Sequence, residues 1–412
     1  MADPFEPLDP LDPLDRPVGR LLRLAQFADP QQVVETLSMT VAELGGSDVV
    51  LFMVDYDHSR LKPHPDVLPH GERAEVASLE GTMAGRAYVS GKPLGAERED
   101  GWHVWVPVVE RAQKLGVLAM TLPRWDEAME AYCVELGIAA AHLVSTASGY
   151  TDRLHLLRRR KDMSLAAEMQ WGILPPLTFS IEGTTVAGLL EPAYDVGGDC
   201  FDYSLNGDVL NFVVFDAMGH GLRSAVLGSL AVSSYRNTRR EQPDADVHVL
   251  LRAVDAVIAD YARGEAFVTA LFGQLDITLG RLQWVTAGHP VPMHVRHAST
   301  LPSVEVRPAS PLGLNAWLGV DDDFEVIETS LEPGDALLVY TDGVIEARDT
   351  DGEEFGEARL RDLLEQESSS GREPGELLRH LVRSVLDHHG SRLRDDASTL
   401  YLRWDGPTDS RR

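Results

Sequence analysis

Cysteine is nearly absent, with two thiols, Cys133 and Cys200, in 412 residues. Two thiols cannot build a disulfide framework, so stability has to come from packed cores. Long apolar runs are missing too. No stretch approaches the roughly 20 residues that span a bilayer, and the N-terminus lacks the basic-then-apolar pattern of a secretory leader. Together these absences predict a soluble, cytoplasmic protein with no membrane partner. Positive charge is scarce: Lys and Arg number 37 against 65 Asp and Glu, a formal net charge of −28. Phosphate backbones demand clustered cations, so nucleic acid is not an expected partner. Ready-made phosphate cradles are also lacking. Ser90-Gly91-Lys92-Pro93 has no upstream glycine, and no Gly-x-Gly-x-x-Gly follows a strand. No Gly-x-Ser-x-Gly elbow or His-Glu-x-x-His pair occurs.

What is present divides the chain. Residues 1–18 repeat Pro-Leu-Asp three times, and proline at every third position predicts a disordered arm. Residues 19–124 alternate helical and strand-like periods. Val18–Leu44 is helical up to Gly45-Gly46, Ala74–Leu79 and Ala84–Val89 read as short helices, and Ser47–Tyr56, Trp102–Val109 and Lys114–Leu122 read as strands. Glu80-Gly81-Thr82-Met83-Ala84-Gly85-Arg86-Ala87 and Leu115-Gly116-Val117-Leu118 resemble GAF sensor domains, with PAS-like sheets as the competing resemblance. A GAF-like domain implies a small ligand or a dimer contact. Trp102, His103, Trp105 and Cys133 are candidate pocket residues, against the plainer reading that they pack a core.

Residues 125–172 carry no proline. Met129, Cys133, Leu136, Ala140, Leu143, Ala147, Tyr150, Leu154 and Leu157 step by fours and threes, a heptad seam. This predicts a coiled-coil-like linker through which two protomers form a homodimer, with a single helix lying on its own domain as the alternative. Pro175-Pro176 closes the helix, and its end, Ala166–Leu174, is the expected switch between linker and second domain. That domain runs over 173–404, and 405–412 is a frayed tail.

The second domain repeats one device: a buried strand ending in an acid. Val213-Val214-Phe215 runs into Asp216-Ala217-Met218-Gly219-His220-Gly221, and Leu337-Leu338-Val339-Tyr340-Thr341 into Asp342-Gly343. Asp199 opens the strand before the hairpin signal Asn206-Gly207, and Asp395-Asp396 precedes the last strand. With Asn206-Gly207 at the centre of the turn, Asp199 falls opposite Val214 and diagonal to Asp216, within roughly 7 Å. Each acid alone is an ordinary turn former. Four strand ends carrying acids in one domain suit divalent cations, and an oxygen-only donor set favours Mg2+ or Mn2+ over zinc. Asp321-Asp322-Asp323 reads as a solvated turn near the same end.

The motifs around these acids resemble, in order, those of bacterial PPM (PP2C-like) serine/threonine phosphatases of the SpoIIE/RsbU type. They are Ala193-Tyr194-Asp195-Val196-Gly197-Gly198-Asp199, Asp216 to Gly221, Phe267-Val268-Thr269-Ala270-Leu271, Ala287-Gly288-His289-Pro290, Tyr340 to Ala347 and Asp395-Asp396. The resemblance covers about residues 160–404. It implies an α+β chain: a GAF-like sensor, a helical linker and an α/β/β/α sandwich of the PP2C type. It further implies two Mn2+ or Mg2+ ions held by Asp199, Asp216, the Ala217 carbonyl, Asp342 and Asp395, with Asp396 as a further candidate ligand. Asp216 and Asp199 then carry catalysis, a metal-activated water attacking phosphoserine or phosphothreonine. Gly197, Gly198, Gly219, Gly221 and Gly343 become sites of close backbone approach, and His220 and His289 structural neighbours. The implied substrate is a phosphorylated anti-anti-sigma (STAS-type) protein. The rival is a non-catalytic protein that uses the same fold to sequester a regulator. Met218 stands where eukaryotic relatives carry a histidine proposed as general acid, and Thr184–Leu190 has no basic phosphate clamp. Cys200, beside an acid, reads as a small buried residue.

Overall fold

The computed structural model describes residues 17–65, 74–191, 193–195, 197–319, 324–389 and 396–407. The expectations for the arm up to residue 16, for Asp321-Asp322-Asp323, for Asp395 and for the tail from 408 lie outside the described residues. The chain divides into two compact units, 1–162 and 163–412.

In unit 1 the elements run α1 (Pro17–Ala25), α2 (Val33–Glu43), β1 (Ser47–Val54), β2 (Arg60–His64), β3 (Ala77–Ser78) and α3 (Met83–Ser90). There follow β4 (Leu94–Arg98), β5 (Gly101–Glu110), β6 (Gln113–Leu122), α4 (Glu127–Ser148) and α5 (Arg153–Arg158). The strands form one antiparallel sheet ordered β3-β2-β1-β6-β5-β4. Its core gathers Leu37 and Val41 of α2, Leu51 and Met53 of β1, Val106 of β5 and Leu136 of α4. The alternation read from the sequence is visible in β5, where Val104, Val106 and Val108 are all fully buried. Pro17 and Val18, assigned above to the arm, open α1, where proline costs no hydrogen bond. The helix expected over Ala74–Leu79 is instead loop and the short β3, because Ala77 and Ser78 pair with Leu61 and Arg60. Cross-strand partners outvote local propensity there. Of the candidate pocket residues, Cys133 is buried in the core cluster and Trp102 packs against it.

The heptad stretch is not one rod. α4 ends at Gly149, and Tyr150 is 78% exposed. Met129, Cys133, Leu136, Ala140 and Ala147 are buried in the core of unit 1 itself. The reason is the run of small residues: a Cβ on Gly137 would fall 2.4 Å from the Pro107 carbonyl oxygen, so the helix lies directly against β5. Leu154 of α5 joins the same core. Most of the seam is therefore spent within one protomer, the alternative stated above, in place of a continuous linker coiled coil over 125–172.

Unit 2 begins ten residues earlier than expected, with α6 (Leu165–Ile173). The Ser164 hydroxyl caps α6 by accepting from the Ala167 N–H, and the Trp171 indole donates to the Ala193 carbonyl at 2.8 Å. Next come β7 (Thr178–Ile181), β8 (Thr184–Glu191), β9 (Cys200–Asn206), β10 (Val209–Ala217), α7 (Leu222–Glu241) and α8 (Val247–Ala262). Then follow β11 (Val268–Asp276), β12 (Arg281–Ala287), β13 (Met293–Arg296), β14 (Ser299–Thr300), α9 (Asn315–Leu318) and β15 (Ile327–Ser330). The unit closes with β16 (Asp335–Tyr340), α10 (Asp342–Ile345), α11 (Glu357–Ser369), α12 (Pro374–His389) and β17 (Ala397–Trp404).

Two antiparallel sheets result, ordered β15-β12-β11-β10-β9 and β14-β13-β16-β17-β8-β7. Between them pack Phe201, Phe212, Val214, Leu271, Leu337, Val339 and Leu400. On the outer face of the first sheet, Val213, Phe215 and Phe272 meet Tyr235 of α7 and Leu251 of α8. On the outer face of the second, Leu338, Tyr340 and Tyr401 meet Leu364 of α11 and Leu381 of α12. The layering is α/β/β/α. One chain pattern builds it: in β10, even-numbered residues face the other sheet and odd-numbered ones the helices. Among the described residues no helix is long and apolar enough to cross a membrane.

Candidate active site

Strand parity decides what each acid meets. In β9 and the residue before it, Asp199, Phe201 and Tyr203 point between the sheets, while Cys200 and Asp202 point at α7. Asp202 is 1% exposed, and two cations meet it. Arg236 donates through Nε at 3.1 Å and Nη2 at 2.6 Å, and the Arg239 guanidinium lies 3.2 Å away. Asp199, three residues earlier and 2% exposed, has different company. Its carboxyl is held well above the usual carboxylate range, first by burial and then by the charges of Asp216 and Asp396, with the Thr341 hydroxyl opposing.

The hairpin register differs from the sequence expectation by two residues. Leu210 pairs with Leu205 and Phe215 with Cys200, so Gly207 and Asp208 form the turn. Gly207 takes φ +59, the conformation that a II′ turn requires at its first central position. A shift of two preserves the face. Continued by one residue, it sets Asp199 directly opposite Asp216 rather than diagonal to it, and Asp216 pairs on its other side with Thr269.

Close backbone approaches bring the remaining acids to the same end. A Cβ on Gly198 would sit 2.3 Å from the Ala217 carbonyl oxygen, and one on Gly197 2.6 Å from the Gly221 nitrogen. A Cβ on Gly343 would sit 1.9 Å from the Asp396 carbonyl oxygen, so the start of α10, with Asp342, lies on the start of β17. Gly197, Gly198 and Gly343 are thus places where a Cβ would meet backbone. Gly219 and Gly221 are not: nothing lies within 4 Å of their missing Cβ atoms, and φ values of +88 and +79 are what demand glycine there. Asp396 directs Oδ2 at the Gly197 and Gly198 N–H groups, at 2.7 and 2.6 Å. It secures the loop carrying Asp199, a role its pairing with Asp395 did not reveal.

Thr341 is the residue that sequence reasoning missed. It is fully buried, and its hydroxyl donates to Asp199 Oδ2 at 2.7 Å while accepting from the Ser398 N–H at 2.9 Å. The signal was available in the parity of Leu337, Val339 and Thr341, which places all three between the sheets. His289 is buried with Nδ1 3.0 Å from the Thr269 hydroxyl, one strand over from Asp216. Burial pushes its pKa down to about 3, against a smaller upward pull from the Tyr340 backbone. A neutral imidazole there orders structure and is no proton donor near pH 7. His220 and Met218 are exposed in the loop that precedes α7. Cys200 is fully enclosed, and its thiol pKa is raised by burial, then by nearby acids, which favours the neutral thiol over a thiolate.

The donor set fits a divalent cation. The side chains that press hardest on Asp199 are themselves acids, and a cation between facing carboxylates removes that repulsion. Among the described residues no three Asp, Glu, His or Cys side chains form a finished metal shell, and Asp395 lies outside them. A cavity of about 260 Å3 among Trp284, Met293, His294, Arg296 and Arg361 lies at the Asp335 end of β16, away from Asp342.

Comparison with known proteins addresses this unit. The family model for stage II sporulation protein E (SpoIIE) matches residues 206–405. The phosphoserine phosphatase RsbU of Bacillus subtilis (strain 168) is 23% identical over 248 residues, 59% of this chain and 70% of RsbU. The solved RsbU and RsbW domains of Rv1364c from Mycobacterium tuberculosis share 31% identity over 55% of this chain and 63% of that one, with a TM-score of 0.48. The SiaA-PP2C domain of Pseudomonas aeruginosa shares 23% identity over 58% of this chain and 94% of that one, with a TM-score of 0.48. Residues 206–405, most of the second unit, thus match the SpoIIE family model, and the unit is similar to RsbU-type PP2C phosphatase domains.

Proposed function

We propose that unit 2 is a metal-dependent protein serine/threonine phosphatase acting on a phosphorylated regulatory protein, of the anti-anti-sigma (STAS) type. The observation that carries the reading is the facing of Asp199 and Asp216 across the β9–β10 register, with the charges of Asp216 and Asp396 both acting on Asp199. Asp199, Asp216, the Ala217 carbonyl, Asp342 and Asp395 would hold two Mn2+ or Mg2+ ions. Bound there, the ions supply charge neutralisation and water activation for phosphoryl transfer. The protein's own part is positional. β9 and β10 set two carboxylates at the separation of a directly opposed pair, Asp396 anchors the loop that leads into them, and Thr341 orients Asp199. The exposed Met218-Gly219-His220 segment leaves the site open to a macromolecular phosphate rather than enclosing a metabolite.

Unit 1 is proposed as a GAF-like sensor for a small ligand that controls unit 2. The coupling point is α6, whose last carbonyl, that of Ile173, accepts from Arg236 Nη2 at 2.6 Å, while the same guanidinium holds Asp202. The testing experiment is hydrolysis of p-nitrophenyl phosphate and of phosphorylated STAS proteins from the same genome, with and without Mn2+. Hydrolysis that appears with Mn2+ and vanishes with chelator supports the reading. Mn2+-saturated protein that binds a phosphorylated STAS protein without dephosphorylating it would favour sequestration instead.

A further inference from the structure

Resting on that reading, we infer that Thr341 is a positioning residue that determines which oxygen of Asp199 faces the cations. The argument is one of donors and acceptors. The Ser398 amide can only donate, so at 2.9 Å it makes Thr341 Oγ1 an acceptor. The single hydroxyl hydrogen is then left for Asp199 Oδ2, 2.7 Å away. With Oδ2 engaged by Thr341, Oδ1 is the oxygen that this assignment leaves for the cations.

The backbone of Thr341 is itself fixed. Its N–H donates to the Ser398 carbonyl at 3.0 Å, so residues 341 and 398 exchange hydrogen bonds just beyond the paired residues Tyr340 and Thr399. Its β-branched side chain has few rotamers and no exposed surface in which to swing. The chain Ser398 N–H to Thr341 O–H to Asp199 crosses from one sheet to the other. Beside the Asp396 bonds to the Gly197 and Gly198 amides, it is a second direct polar tie between the β16–β17 end and β9.

The test compares Thr341→Val, which keeps shape and loses the hydroxyl, with Thr341→Ser, which keeps the hydroxyl. Mn2+ affinity of the full chain is measured by isothermal titration, alongside kcat and KM for p-nitrophenyl phosphate at limiting and saturating Mn2+ and the urea midpoint of the metal-free protein. Loss of an orienting hydrogen bond predicts Mn2+ binding about 10–100-fold weaker in Thr341→Val. It also predicts kcat recovering with added Mn2+ while KM is unmoved, and Thr341→Ser within about threefold of the parent. A Thr341→Val protein with a lowered urea midpoint but parental Mn2+ affinity overturns the inference and makes Thr341 merely structural. A parent protein that binds no Mn2+ overturns the metal reading and this inference with it.

Discussion

Asp199 and Asp202 lie three residues apart at one strand, are equally buried, and have opposite surroundings. Asp202 faces α7 and is clasped by Arg236 and Arg239. Asp199 faces the space between the sheets, where the nearest charges are carboxylates. β16 repeats the contrast along its length. Asp335 at its start is met by Arg296 at 2.7 Å and His294 at 2.9 Å, and its carboxyl is pulled below the usual range by those bonds despite burial. Asp342 follows its other end, where the Gly343 backbone lies against the Asp396 carbonyl. A buried acid with its own cation is a structural fixture. One placed among other acids carries a repulsion that only proton uptake or a cation from outside the chain would relieve. The lesson is that burial alone identifies neither; the partner does.

The contrast breaks most sharply with Asp216→Asn. Mn2+-dependent hydrolysis should fall by at least about 10²–10³-fold. The metal-free protein should keep or gain stability, since a repulsion is removed. An active, folded variant in a p-nitrophenyl phosphate assay would sink the assignment. Asp202→Asn should do the reverse. Leaving two arginines without their acid costs about 3–5 kcal/mol in urea unfolding, with Mn2+ affinity of the folded fraction unchanged.

Unit 1 provides an intermediate case. Asp57 lies 2.6 Å from Arg160, yet burial outweighs that attraction and raises its pKa to about 6. The folded state therefore holds the proton more tightly than the unfolded one. This term falls away from stability as pH rises from about 4 to about 6. Urea titrations of Asp57→Asn should show that slope reduced. His289 gives the smallest effect. With a folded pKa near 3, its stabilising neutral form is fully favoured above about pH 6.5 and progressively penalised below it. Its ring resonances should not titrate between pH 5 and 8; an inflection there would contradict the neutral, buried imidazole.

Much of the site was legible beforehand because it is written locally. Apolar strand followed by acid and glycine is visible at Asp216 and Asp342, while the sandwich layers came from the resemblance to PP2C-like phosphatases. The hairpin register was misjudged by two because Asn206-Gly207 is the stronger turn signal, whereas Gly207 and Asp208 take the turn. The face of Asp199 survived that error and its distance to Asp216 did not. The heptad seam was real as a pattern, but periodicity states which face is apolar, not what covers it. Here unit 1 covers it, through the close approach that Gly137 permits.

By itself the sequence determined which residues are acids at strand ends, which faces they occupy, and that no thiol chemistry or phosphate loop competes with them. Only the tertiary structure decided that Asp202 receives arginines and Asp199 does not, that Asp396 is bound to backbone amides, and that Thr341 reaches across the sandwich. Side-chain direction follows from alternation along one strand. Partners come from elements up to 199 residues away, as with Asp396 and Gly197, and no local period encodes them.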